Sequence, residues 1–182
     1  MPDSDIHWQT NLNSIHLPRW HELPDIPIYM DQLVTLVERY TLPFKLGSSN
    51  QHLITSAMIN NYVKKRWVLP PEKKKYDRRH LAKLIIITTL KQSFDMSIVQ
   101  KGIATQQGEG IDYRINYDQF CQQMEDTVQQ FLVIDDLEKL EMPLVDTNYL
   151  PIQMATISLV AKLIAEYTID RIPTKHTETE DN

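Results

Sequence analysis

Pro70 and Pro71 stand side by side between two stretches that each read as a capped helix, and this punctuation constrains the chain more than any other feature. Proline lacks a backbone donor and its ring clashes with the preceding turn, so a helix arriving at Trp67 must stop before the pair. Upstream, Thr55 or Ser56 is a good N-cap for a helix over 56–67. Downstream, Asp77 caps a third helix running to about Phe94, with Leu81, Leu84, Ile85, Ile86, Ile87, Thr88 and Leu90 burying most of its circumference. Residues 53–103 are therefore a short helix, a Pro/Lys loop and a longer apolar helix.

Four glycines and little strand-like alternation point to a mainly α fold elsewhere. Asp25-Ile26-Pro27 predicts the start of a first helix, with Asp as N-cap and Pro in the first turn. Its apolar positions are Tyr29, Leu33, Leu36, Val37 and Tyr40, and residues 41–51 form a loop. Asp95 caps a short fourth helix carrying Met96, Val99 and Ile103, and 106–112, with Gly108 and Gly110, reads as a hinge. Asn116 caps a fifth helix with Tyr117, Phe120, Cys121, Met124, Val128 and Phe131 on one stripe; a last helix after Pro151 carries Ile152, Ala155, Leu159, Leu163 and Ile164. Four regions are expected. These are an extended arm over 1–24 packed by Trp8 and Trp20, a domain over 25–107, a helical dimerisation or effector domain over 112–172, and a tail over 173–182 too polar to fold.

The net charge of −5 conceals a segregation. Residues 60–91 hold ten cations and two carboxylates, whereas the rest of the chain holds nine cations and 22 carboxylates. An acidic whole is thus no argument against a polyanionic partner. Cys121 is the one cysteine, which excludes an intrachain disulfide and any cysteine-based zinc site; its apolar stripe marks it as a small buried hydrophobe. His7, His16, His21, His52, His80 and His176 are scattered without ligand spacing, and there is no phosphate loop or nucleophile elbow. Neither enzyme activity, a metal nor a cofactor is expected. The acidic start has no signal segment, and Leu150–Tyr167 contains Gln153, Lys162 and Glu166, so it reads as a buried helix and the protein as cytoplasmic, with no membrane partner.

At about 100° per residue, Ile59, Tyr62, Val63 and Trp67 fall on one arc of the second helix and Ala57, Asn60, Asn61, Lys64 and Lys65 on the other. Asparagine can bond adenine's N6 and N7 together, and lysine reaches guanine or phosphate. The candidate base contacts are Ser56, Ala57, Asn60 and Asn61. The candidate phosphate contacts are Lys64, Lys65, Lys73, Lys74, Lys75, Arg78 and Arg79. Arginine at a helix N-terminus opposes the macrodipole, and a phosphate partner explains it. The pattern leaves two other readings open: a solvated basic face, and a protein-interaction module that binds an acidic protein.

Ile54-Thr55-x-x-x-Ile59-Asn60-Asn61-Tyr62, Pro70-Pro71 and Tyr76-Asp77-x-x-His80-Leu81 resemble the winged helix-turn-helix head of MerR-type transcription regulators over residues 53–103. Arg19-Trp20, the run Leu23 to Gln32, and Met58 to Lys65 resemble, over roughly 19–170, the YkrK-like family of Bacillus and related Firmicutes, a domain of unknown function thought to contain MerR-like regulators. The resemblance implies a double-stranded DNA-binding transcription regulator. Ile59 and Tyr62 match the core of the recognition helix, Tyr76 the close of the wing and Asp77 the following cap. Asn60 replaces a backbone-contacting arginine, and Arg66-Trp67 replaces the Gly-Leu that supplies a left-handed cap. The wing lacks its glycine, so 70–76 is expected to be a plain loop without that cap before it. A DNA reader with one short recognition helix usually works as a homodimer. The stripe Phe120–Phe131 is then either that interface or intrachain core, and a small hydrophobic effector is conceivable between the last helices.

Overall fold

The computed structural model describes residues 15–46, 51–106, 112–132 and 149–169. Among them are six α-helices: α1 Met30–Thr41, α2 Ser56–Lys64, α3 Arg78–Leu90, α4 Met96–Thr105, α5 Tyr113–Leu132 and α6 Leu150–Ile169. Short 3-10 turns occupy Trp20–Glu22 and Leu42–Phe44. The arrangement is mainly α, as the glycine and periodicity argument requires. Trp8, residues 47–50 of the first loop, Gly108 and Gly110 of the hinge, and the 173–182 tail lie outside the described residues.

α3 is the hub. It packs on α1 and also meets α4, α5 and α6. Its buried residues include Leu81, Ala82, Leu84, Ile85, Ile87 and Leu90, which lie on more than one face of the helix. A helix apolar around most of its circumference is stable only when neighbours cover it on several sides. Each of the leucines and isoleucines contributes about 1.5–3 kcal/mol of burial. Apolar residues of the first helices and of α5 and α6 belong to one buried cluster.

Three expected boundaries move, each for a local reason. α1 starts at Met30, where Gln32 Oε1 accepts the Tyr29 N–H at 2.9 Å. Asp25-Ile26-Pro27 stays out of the helix because Ile28 exchanges two backbone hydrogen bonds with Tyr76, at 2.9 and 2.8 Å, which requires extended backbone. α5 is capped by Asp112, whose Oδ1 accepts the Arg114 N–H at 2.9 Å, so Asn116 is freed for the first turn. α3 ends at Leu90, and Phe94 belongs to the turn that follows.

The described part of the arm is a strap across α5. The Leu17 N–H donates to Glu125 at 2.7 Å, Arg19 pairs with Glu125 at 2.6 Å, and the Trp20 N–H donates to Asp118 at 2.6 Å. The Tyr117 hydroxyl donates to the Pro18 carbonyl at 2.8 Å. Trp20 lies edge-on to Tyr113 and Tyr117, with centroids 5.8 and 6.3 Å away. Partial burial pushes the Glu125 carboxyl up, but Arg19 and the Leu17 N–H outweigh it and hold its pKa below the usual range.

α5 and α6 pack against each other. The stripe of Phe120, Cys121, Met124 and Val128 is buried inside the chain, so in this protein it is intrachain core. Burial pushes the Cys121 thiol up to about 12, consistent with an inert packed side chain. By length and composition alone α6 could cross a membrane. Its Gln153, Thr156, Leu159, Val160 and Leu163 are nonetheless buried within the fold.

Candidate nucleic-acid interface

α2 begins where Thr55 Oγ1 accepts the Met58 N–H at 3.2 Å, so Thr55, not Ser56, is the N-cap. Ile59 and Tyr62 are buried, with Val63 and Trp67 half-buried. Ser56, Ala57, Asn60, Asn61, Lys64 and Lys65 are all exposed. The structure therefore brings the candidate base contacts and the first two candidate phosphate contacts together on one open face.

The end of α2 departs from expectation. Arg66 takes a left-handed conformation, φ 59°. Its N–H donates to the Val63 carbonyl and the Trp67 N–H to the Tyr62 carbonyl, both at 2.9 Å. This is the paired bonding of a Schellman cap, built without glycine. The apolar contact that accompanies such caps is supplied by Trp67 and Tyr62, with centroids 5.8 Å apart. The left-handed stop expected to be missing is present, held by an aromatic pair that offsets the strain at arginine.

The loop after Pro71 is also more than a plain loop. Glu72 and Lys75 exchange backbone hydrogen bonds at 3.0 and 2.9 Å. Between them Lys73 and Lys74 have φ values of 47° and 64°. Positive φ at both central residues is the type I′ signature of a two-residue hairpin, a position that favours Asn-Gly. Two lysines there are strained relative to residues that tolerate the conformation. The hairpin is fixed to the body by the Ile28–Tyr76 bridge, and Lys75 Nζ rests 5.2 Å from the Tyr29 ring centroid.

At the start of α3, Asp77 Oδ1 accepts the Arg79 and His80 N–H groups at 3.0 and 3.2 Å. Its other oxygen pairs with the Arg79 guanidinium at 2.6 Å. Partial burial raises the Asp77 pKa, but the hydrogen bonds from Arg79 and His80 prevail and leave it below the usual range. Arg79 thus has a local reason to stand at a helix N-terminus, and no phosphate is needed to account for it there. Its side chain is 63% exposed, so this is a solvent-screened pair of small value.

Arg79 is, among the described residues, the one of the ten cations in 60–91 with an ion-pair partner. Three others are steadied by aromatic faces instead. Lys65 lies 4.5 Å from the Trp67 ring centroid, Lys75 lies over Tyr29, and Arg78 lies 5.7 Å from the Trp20 centroid while donating to the Pro24 carbonyl. A ring orients a cation without neutralising it. The result is a surface of ordered, uncompensated positive charge.

A family model for a domain of unknown function, DUF1836, matches residues 18–124, more than half of the chain. The protein belongs to the DUF1836 family. No curated protein and no solved structure matches it. The DUF1836 span contains most of the strap, the whole basic unit and α5 as far as Met124, and it leaves out α6. It therefore crosses the boundary drawn at 107–112 from the glycines.

Within the DUF1836 span, sequence reasoning passed over two lysines as site residues. Lys83 is half-buried, its pKa lowered by desolvation, and with Arg79, His80 and Tyr113 it lines a recess of about 260 Å³. Lys91 is held differently: its ammonium donates to the Leu53 carbonyl, fastening the approach to α2 onto the end of α3, and desolvation lowers its pKa to about 8. The spacing of both, Lys83 within α3 and Lys91 at its C-cap, was readable, but their depth depends on neighbours distant in sequence.

Proposed function

We propose that α2 and α3, with the lysine hairpin between them as its wing, form a MerR-like winged helix-turn-helix DNA-binding head in a homodimeric transcription regulator. The observation that carries this reading is the pairing of an exposed Asn/Lys face on α2 with an adjacent set of ordered cations that have so few carboxylate partners. α2 enters a major groove, where Asn60 and Asn61 address base edges beside Ser56 and Ala57. Lys64, Lys65, Lys73, Lys74, Lys75 and Arg78 meet the flanking phosphates. Arg79 contributes by leaving its exposed pair with Asp77. Strained backbone concentrates at functional sites, and each of the positive-φ residues Arg66, Lys73 and Lys74 carries a positive charge. With the Phe120–Met124 stripe occupied inside the chain, a two-fold partner must use other surface.

Selection of genomic DNA fragments by the purified protein, followed by salt titration of the bound fragments, tests the reading. Each neutralised phosphate lowers the slope of log K against log salt by about 0.9, so six contacts give a slope of about −5. If no fragment is bound more tightly at low salt than by a control protein of equal acidity, the DNA reading fails.

A further inference from the structure

α3, α4, α5 and α6 line a half-open cavity of about 280 Å³. Leu90, Ile103, Phe120 and Ala155 are among its walls, and no described residue lining it is charged. Two features of this space are not explained by packing.

The first is Gly102. It lies inside α4 and lines the cavity, and a Cβ added there would meet nothing within 4 Å among the described residues. Its backbone is helical, so no turn demands glycine. Glycine is among the poorest residues for a helix interior. A larger side chain would improve the helix and fill the space at once, so the fold gains nothing from leaving it open.

The second is a pair of buried polar atoms one turn apart on α5. The Tyr113 hydroxyl and Asn116 Oδ1 have no hydrogen-bond partner among the described residues, and both side chains line the cavity. Asn116 is not loose: its Nδ2 donates to the Gln106 carbonyl, which orients the amide and leaves Oδ1 as a fixed acceptor. A buried acceptor without a donor is costly.

We propose that this cavity binds a small uncharged molecule with an apolar body and one hydroxyl-like head, the head donating to Asn116 Oδ1 with the Tyr113 hydroxyl one helical turn away. An ion is disfavoured because the walls supply no counter-charge. At about 30 Å³ per water-sized group, the cavity holds roughly nine such groups, the size of a medium-chain alcohol. Tyr113 also touches Trp20, on whose ring Arg78 rests, so the occupied cavity abuts the basic head.

The test is calorimetric titration of 1-octanol into the full chain without DNA, so that its failure leaves the DNA reading untouched. The expected result is saturable binding at one octanol per chain, with sodium octanoate bound at least tenfold more weakly. Gly102→Leu is expected to abolish octanol binding while keeping or raising the melting temperature, and Asn116→Leu to weaken binding about tenfold. Absence of binding by the native chain, whether because the space stays dry or because other parts of the chain fill it, overturns the proposal. So does undiminished binding by folded Gly102→Leu, or octanoate bound as tightly as octanol.

Discussion

The basic unit from α2 to the start of α3 and the α5–α6 pair are built on opposite principles. In the first, short elements expose their polar side, three cationic residues adopt left-handed backbone, and positive charges rest on rings instead of carboxylates. In the second, long helices bury an apolar stripe, and the strap is clamped to α5 by a well-shielded Arg19–Glu125 pair. Folding stability alone accounts for nearly everything in the second region and leaves the key features of the first unexplained. Where a protein keeps strain and uncompensated charge on its surface, the compensation is expected from a partner.

The comparison breaks first if the α5 stripe proves dispensable. Phe120 is 2% exposed, and Phe120→Ala is expected to destabilise the chain by about 3–5 kcal/mol, read from urea unfolding. A loss below about 1 kcal/mol means the stripe is not core.

On the other side of the comparison, Asn61→Ala should leave unfolding within about 0.5 kcal/mol of the native chain, because the residue is exposed. It should weaken selected DNA sites by roughly 1–3 kcal/mol, whereas Lys74→Ala weakens selected and random DNA about equally. Competition binding against random DNA measures both. Equal losses on the two DNAs for both variants sink the assignment of base and phosphate contacts.

Glu125→Gln removes the strap's carboxylate and should cost about 1–2 kcal/mol, discounted for partial exposure. The sign with pH follows from the lowered folded-state pKa of Glu125. Its stabilisation is fully present above the unfolded value of about 4.5 and is lost as pH falls through the folded value. Unfolding curves of the native chain and the variant should therefore converge on acidification. A gap that stays constant down to strongly acid pH contradicts the pairing.

The smallest effect is the sharpest for the contrast. Replacing Lys73-Lys74 by Asn-Gly supplies the residues a type I′ turn favours and should raise stability by about 1 kcal/mol. The same change should weaken binding to all DNA. A variant that is both more stable and equally competent on DNA shows that the lysines are incidental.

Much of this was legible in the chain itself. The Thr55 and Asp77 caps, the stop before Pro70-Pro71, the buried Ile59–Tyr62 arc opposite the exposed Asn60-Asn61-Lys64-Lys65 face and the buried Cys121 all follow from local rules: helical periodicity, orphan N–H groups and the missing proline donor. Segregation of ten cations into residues 60–91 is likewise a property of the sequence. The start of α1 at Met30 and the left-handed Arg66, Lys73 and Lys74 were not legible. The first depends on Ile28 pairing with Tyr76, 48 positions away, and the others on an aromatic clamp and a hairpin closed by Glu72 and Lys75.

Sequence alone thus determined where helices form, which faces they bury and where the charge collects, because those are set by neighbours within a turn or two. Tertiary structure alone decided that the arm straps α5, that Lys75 and Arg78 are poised on the rings of Tyr29 and Trp20, and that Gly102 lines a cavity between helices. Most of these depend on groups far apart in the chain, and their energies exist only after the helices have packed.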